Sequence, residues 1–262
     1  MTDSTGNRYG ILADVHGNLQ ALRAVLAFLD AEGVTGICCL GDVVGYGGDP
    51  AACVGILRQR RAVTVRGNHD QAVVDPGIRP WFNDLARRAI ERQAEMLDGD
   101  DLAWLRGLPP VIAREGMTLG HGGFADPEAY VYVTDARQAA TEFAAFETRC
   151  GFIGHTHVPA AWRRAQNGAV ESLALGRPGR TRDSREATAA AIPLPSSSRY
   201  LINPGAVGQP RDRDPRAACA VYDPGEESFV LARLPYDIAA AQEAIRRRGL
   251  PFFEATRLAH GR

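Results

Sequence analysis

No stretch of this 262-residue chain approaches the roughly 20 consecutive apolar residues that a membrane-spanning helix needs. The polar opening Met1–Arg8 lacks the apolar core of a secretion signal. Net charge is nearly absent as well, at -1 near neutral pH. That removes the basic footprint of a nucleic-acid-polymer binder and leaves any steering of an anionic substrate to a local site. None of the five cysteines (Cys38, Cys39, Cys53, Cys150, Cys219) sits in a C-x-x-C pair, and the count is odd. A zinc ribbon is therefore unsupported, and reduced, buried thiols in the cytoplasm are the expectation. What is present, 45% apolar and 23% charged residues, is ordinary for a globular protein, and the length suits one domain over residues 1–262.

The hydrophobic pattern is of α/β type. Tyr9–Ala13, Gly36–Leu40 and Val63–Val65 are short apolar runs, and each ends abruptly in polar residues: Asp14, Gly41–Asp42 and Gly67–Asn68–His69. Open α/β sheets place their sites at the carboxyl ends of strands, so this repetition marks a site. Asn18 opens a helix whose face is Leu19, Leu22, Val25, Leu26 and Leu29, and Gly33 stops it. Helices are also expected over Leu85–Leu97, Asp101–Leu108 and Ala136–Phe146, and after Asp237. Strands are expected at Val111–Ala113, Met117–Gly120, Phe152–Ile153, Ala160–Arg164, Ala169–Leu175, Tyr200–Ile202, Ala217–Tyr222 and Phe229–Arg233. The segment 176–199 has five arginines, three prolines and no aromatic residue, and reads as a flexible insertion.

Five of the six histidines lie in the polar clusters at strand ends: His16, His69, His121, His155 and His157. A lone histidine says little, but each of these comes with the partners a metal needs. Asp14–Val15–His16 and His155–Thr156–His157 are i, i+2 pairs, which in an extended segment leave the same face. Asp42 adds a carboxylate, Asn68 an amide oxygen, and His121 another nitrogen. The set holds no thiolate, suits borderline divalent cations, and is too large for one tetrahedral zinc site. Sharing one carboxylate between two ions gives each about four protein contacts, with room for water.

In this order, Asp14–His16, Gly41–Asp42, Gly67–Asn68–His69–Asp70, His121–Gly122 and Gly154–His155–Thr156–His157 resemble the calcineurin-like metallophosphoesterase superfamily. Gly41–Asp42–Val43–Val44–Gly45–Tyr46–Gly47 and the run from Asn203–Pro204–Gly205 to Asp212 resemble its bacterial and archaeal branch of diadenosine-tetraphosphatase-like and small phosphodiesterase proteins. The resemblance implies a four-layer α/β/β/α sandwich of two mixed sheets flanked by helices. It implies two divalent transition-metal ions (Mn, Fe, Zn, Co or Ni, with Mn favoured). Asp14, His16, Asp42 and His157 would hold the first; Asp42, Asn68, His121 and His155 the second. It makes His69 the catalytic residue that protonates the leaving group, with Asp70 orienting it or closing its loop. Arg66, Gln209 and Arg211 are candidate substrate contacts, since arginine suits phosphate.

Protein phosphatases of that superfamily carry Asp-Arg-Gly where this chain has Gly45–Tyr46–Gly47. The substitution favours a small phosphodiester, phosphoanhydride or phosphomonoester, a nucleotide among the candidates, over a phosphoprotein, and it leaves His69 without an assigned support. A non-catalytic scaffold on the same fold is the alternative, and the complete ligand set argues against it. A metallo-β-lactamase-type site is disfavoured, because the chain lacks a compact His-x-His-x-Asp-His run.

Overall fold

The computed structural model describes residues 6–175 and 186–262. Its first sheet has six strands: β1 (Tyr9–Leu12), β2 (Gly36–Cys39), β3 (Val63–Thr64), β9 (Thr188–Pro193), β11 (Ala217–Asp223) and β12 (Ser228–Leu234), in the order β3-β2-β1-β11-β12-β9. The second also has six: β4 (Val111–Arg114), β5 (Met117–Gly120), β6 (Cys150–Phe152), β7 (Ala160–Arg164), β8 (Val170–Ser172) and β10 (Arg199–Asn203), in the order β4-β5-β6-β10-β7-β8. Both sheets are mixed. β1, β2 and β3 run parallel, whereas β11 pairs antiparallel with both β1 and β12.

Side-chain alternation along the strands builds the layers. Tyr9, Ile11, Cys38, Ala220 and Tyr222 of the first sheet point inward and meet Met117, Leu119, Cys150, Phe152 and Ile202 of the second. Phe152 and Tyr222 cross that interface edge to face, with ring centroids 5.3 Å apart. Leu12, Cys39, Cys219 and Val221 point the other way, into the helices α1 (Leu19–Ala31), α2 (Pro50–Gln59), α3 (Asn68–Val74) and α5 (Gly99–Arg106). Phe124, Phe146, Trp162 and Leu201 form the core under α6 (Ala136–Glu142) on the outer face of the second sheet. The expected α/β/β/α sandwich is present. Adjacent Cys38 and Cys39 therefore lie in different layers, and all five thiols are buried and unpaired.

The end of the molecule that carries the site is completed by α4 (Asp84–Ala94), α7 (Ile238–Arg247) and α8 (Phe252–Leu258), which pack around Tyr46. Asn18 and Asp237 cap α1 and α7 as expected, accepting from the backbone N–H of Ala21 and Ala240. Three helices were not anticipated. α2 begins at Pro50 after Asp49, a start signal available in the sequence. α3 begins on the Asn68 cluster itself, and α8 follows Gly249–Leu250–Pro251.

The insertion expected over 176–199 needs correction in its second half. Residues 176–185 lie outside the described residues, but Thr188–Pro193 is the edge strand β9, paired antiparallel with β12 from Thr188–Arg233 to Pro193–Ser228. Its alanines have little hydrophobic signal of their own. Ladder hydrogen bonds to β12 and the insertion of Ile192 and Leu194 into the inter-sheet core order it.

Helix α1 lies directly on β1: a Cβ on Gly10 would come 2.6 Å from Leu29 Cδ1. Gly10→Ala is expected to cost about 1–3 kcal/mol in urea unfolding through overpacking. In the Leu29→Ala background the same change should cost almost nothing. Equal costs in both backgrounds would disprove this contact.

Candidate metal centre and active site

The polar residues at the strand ends reach one point by an unexpected backbone route. Asp14, His16, Asp42, His155 and His157 all have positive φ, at 54°, 49°, 53°, 68° and 60°. The i, i+2 pairs are thus delivered by left-handed turns, not by the extended segments the spacing suggested. Such φ values in non-glycine residues cost of order 1–3 kcal/mol each and persist only where the surroundings impose them. Here the loops are stitched together. Asp14 N–H donates to Gly41 O (3.1 Å), His16 N–H to Asp42 O (2.9 Å), and Gly208 N–H to Asp14 O (2.8 Å). His155 N–H donates to Asp14 Oδ2 (3.1 Å).

Two clusters of donor atoms result. Asp14, His16, Asp42 and His157 bring ligand atoms within 4.8 Å of one another, and so do Asp42, His121 and His155. Asp42 belongs to both. Its Oδ2 lies 3.6 Å from His16 Nε2 and 3.3 Å from His121 Nε2. Asp14 Oδ1 lies 3.3 Å from His157 Nε2, and the Nε2 atoms of His16 and His157 are 3.1 Å apart. Asn68 Oδ1 is 3.1 Å from His121 Nε2, which adds an oxygen to the second cluster.

The imidazoles are pre-set as ligands. Nδ1 of His16, His121 and His157 lies 3.0, 2.7 and 2.6 Å from the carbonyl oxygens of Val44, Leu40 and Gln209. A carbonyl only accepts, so Nδ1 carries a proton and Nε2 is the atom that faces the cluster, the arrangement metal-ligating histidines adopt. Burial holds the pKa of His16 and His157 well below the ordinary range, and burial with the His121 charge takes His155 down to about 3. These rings are neutral near pH 7. Burial and the Asp42 charge push Asp14 up to about 7, against the attraction of His121. Burial acts on Asp42 the same way, but His121, His69 and His16 outweigh it and hold Asp42 well below the carboxylate range. Burial opposes the protonation of His121 too, yet Asp42 and Asp14 raise it to about 9. Two buried carboxylates side by side, faced by the neutral rings of His16, His155 and His157 and by His121, which must give up a proton to bind, fit divalent cations well.

A cavity of about 630 Å³ opens over Asp42, Asn68, His69, His155 and His157. His69 is buried; its backbone N–H donates to Asp42 Oδ1 (2.8 Å) and its Nε2 lies 3.1 Å from the Tyr46 hydroxyl. Asp70 accepts from the N–H groups of Gly67 (3.0 Å) and Val44 (3.2 Å), so it closes the loop and does not touch His69. Burial, opposed by Asp42 and reinforced by Arg211, pulls the His69 pKa down to about 4. The three candidate substrate contacts divide. Arg211 lines the cavity. Gln209 is buried against Glu254 and Arg211 and is not part of the lining. Arg66 pairs with Glu128 at 2.7 Å, also outside it.

The family model for the calcineurin-like phosphoesterase superfamily domain matches residues 8–226. The chain belongs to that superfamily. An uncharacterized protein of Methanocaldococcus jannaschii is 31% identical over 257 residues, covering 96% of this chain and 97% of its own. The crystal structure of a metallophosphoesterase from Sphaerobacter thermophilus is 39% identical, covers 98% of this chain and 99% of that one, and superposes with a TM-score of 0.79. A hypothetical protein from Pyrococcus horikoshii OT3 shares the fold at 17% identity and a TM-score of 0.74, covering 97% of this chain and 98% of its own.

For a calcineurin-like phosphoesterase, the notable local feature is Gly45–Tyr46–Gly47. Tyr46 supplies the side-chain contact to His69 that the sequence left unassigned. Gly45 lets the backbone pass between two rings, because a Cβ there would meet Nδ1 of both His16 and His69. Tyr46 could stack on a base or pack as core by the sequence alone, and its contact to His69 was not anticipated; Glu254 and Arg257 escaped the sequence reading, as did the aromatic wall of Trp81, Phe82, Tyr132 and Phe253. Only the Gly-Tyr-Gly departure from the protein-phosphatase pattern hinted at any of them.

Raised pKa values in the metal-free protein mean that protons compete with cations at Asp14 up to about pH 7 and at His121 up to about pH 9. Manganese affinity of the stripped protein should therefore climb with pH through both values, with proton release. Calorimetry in buffers of different ionisation enthalpy measures this, and Asp14→Asn should flatten the lower step. Affinity independent of pH would contradict the assignment.

Proposed function

We propose that this protein hydrolyses a small phosphoester with the help of two divalent transition-metal ions, manganese favoured. Asp14, His16, Asp42 and His157 would hold one ion; Asp42, Asn68, His121 and His155 would hold the other. The observation that carries the proposal is the membership of the Asp42 carboxylate in both donor clusters. When bound, such a pair supplies a water of lowered pKa and positive charge against the phosphoryl oxygens.

The chain's own groups do the rest. In the hydrolysis the water oxygen bonds to phosphorus and the P–O bond to the leaving group breaks. His69, in the cavity beside Asn68, delivers a proton to the departing oxygen. Its low pKa makes it neutral in the free protein; the negative charge of an incoming phosphoester favours the imidazolium and loads it for that transfer. The Asp42–His69 backbone bond and the Tyr46 hydroxyl set the ring's position. Access through a cavity of about 630 Å³ with an aromatic wall suits a small molecule better than a folded phosphoprotein.

His69→Ala is expected to keep its metal and lower turnover by about 10²–10⁴. Unchanged turnover would remove His69 from the chemistry. Asp42→Asn should bind at least one metal equivalent less by elemental analysis, and two equivalents retained would refute the shared ligand. The substrate class is tested by a panel of monoester, diester, dinucleoside polyphosphate and phosphopeptide on stripped protein refilled with Mn²⁺, Zn²⁺, Fe²⁺ or Mg²⁺. Turnover of the phosphopeptide alone would overturn the small-substrate reading.

A further inference from the structure

Beyond the metal-ligand clusters, one wall of the cavity carries two guanidinium groups, Arg211 and Arg257. Both lie over the Tyr46 ring, 5.7 and 5.9 Å from its centroid. They are tied into one unit. Arg211 Nη2 donates to Gln209 Oε1 (2.8 Å), Gln209 Nε2 donates to Glu254 Oε2 (2.9 Å), and Arg257 Nη1 donates to that same oxygen (3.3 Å). Gln209 and Glu254 are buried. Gln209, first a candidate substrate contact, is thus the connector that holds Arg211 in place.

The unit is short of negative charge. Against two cations it holds the single carboxylate of Glu254, which pairs with Arg257 and reaches Arg211 only through Gln209. Among the described residues no carboxylate stands within ion-pair distance of Arg211, whose side-chain partners are Gln209 and the Tyr46 hydroxyl, the latter at 3.5 Å. Burial and the nearby Arg211 charge together pull the Arg257 pKa below its ordinary value. Holding two partly buried guanidinium groups together in this way is unfavourable until an anion joins them. The chain has no lysine, so charge recognition in the cavity falls to arginine, whose planar fork matches phosphate oxygens.

Position decides what the pair receives. The Tyr46 hydroxyl touches His69 Nε2 at 3.1 Å and Arg211 at 3.5 Å, so the guanidinium groups stand next to the group that faces the leaving oxygen. We infer that Arg211 and Arg257 form a subsite for a phosphorylated leaving group, which makes phosphoanhydrides the preferred substrates. The inference rests on the hydrolase reading above. In such a reaction the anhydride P–O bond breaks, the water oxygen bonds to the phosphorus transferred, and the leaving phosphate carries its negative charge onto the arginines.

The test compares tripolyphosphate, whose leaving group is charged, with p-nitrophenyl phosphate, whose leaving group carries no phosphate, on the metal-loaded enzyme. In Arg257→Met and in Arg211→Met the ratio of kcat/KM for tripolyphosphate to that for p-nitrophenyl phosphate should fall roughly 10–100-fold, as loss of a charge-assisted hydrogen bond implies. Equal losses on both substrates would mean that the pair grips the transferred phosphoryl group, and an unchanged ratio of either kind overturns the subsite. If the loaded wild type turns over neither compound, the hydrolase reading is decided by the substrate panel above and not by this ratio. The subsite then stands or falls on calorimetric binding of inorganic pyrophosphate. Binding at least tenfold weaker in Arg257→Met supports it, and equal binding refutes it. Methionine keeps the aliphatic packing, and thermal melting of both variants reports whether the fold is intact.

Discussion

The Asp42 carboxylate is the point on which the site depends. One oxygen accepts the His69 backbone N–H at 2.8 Å and so fixes where the catalytic candidate emerges. The other faces His16 and His121, one from each donor cluster. Full burial would ordinarily protonate a carboxylate; here the surrounding imidazoles keep it ionised. The carboxylate lies so close to Gly67 that a Cβ there would strike Asp42 Oδ1. Geometry and charge thus converge on one side chain that joins strand β2 to helix α3.

Around that anchor, the sandwich works as a scaffold for strained loops. Strands β1 and β2 end in register, Leu12 opposite Cys39, and the loops after β1, β2 and β6 carry their polar residues on left-handed turns. The strain is offset by hydrogen bonds between loops that are remote in sequence, such as Gly208 to Asp14. Positive φ at a non-glycine residue is expected where a structure over-determines a functional group. The backbone also orients the rings: three carbonyls hold Nδ1 of His16, His121 and His157. A polar cluster built this way tolerates little movement, because shifting one loop would unpair groups in two others.

Much of the architecture and of the donor set was legible in the sequence, for a physical reason. Strands buried on both faces must be apolar throughout, so the switch to Asp14, Asp42, Asn68 or His155 is abrupt and visible. Helix α1 announced itself through its cap and its stripe. What stayed hidden depends on contacts between distant segments. Nothing local in Asp14 or His157 signals positive φ. The alanines of β9 carry almost no pattern, and only pairing with β12 makes them a strand. Tyr46 has a role only because α3 brings His69, and α8 brings Arg257, to its ring and hydroxyl. Arg66 and Gln209 looked equivalent to Arg211 in the sequence, and only the fold shows that one pairs with Glu128 and the other lies beneath Arg211.

Two ions sharing one buried aspartate is the claim from which the chemistry follows. Anomalous diffraction from crystals loaded with manganese tests it most directly. The account predicts two peaks about 3.5–4 Å apart, one on each side of the Asp42 carboxylate and both within bonding distance of it. A single peak, or two peaks of which only one contacts Asp42, would contradict it.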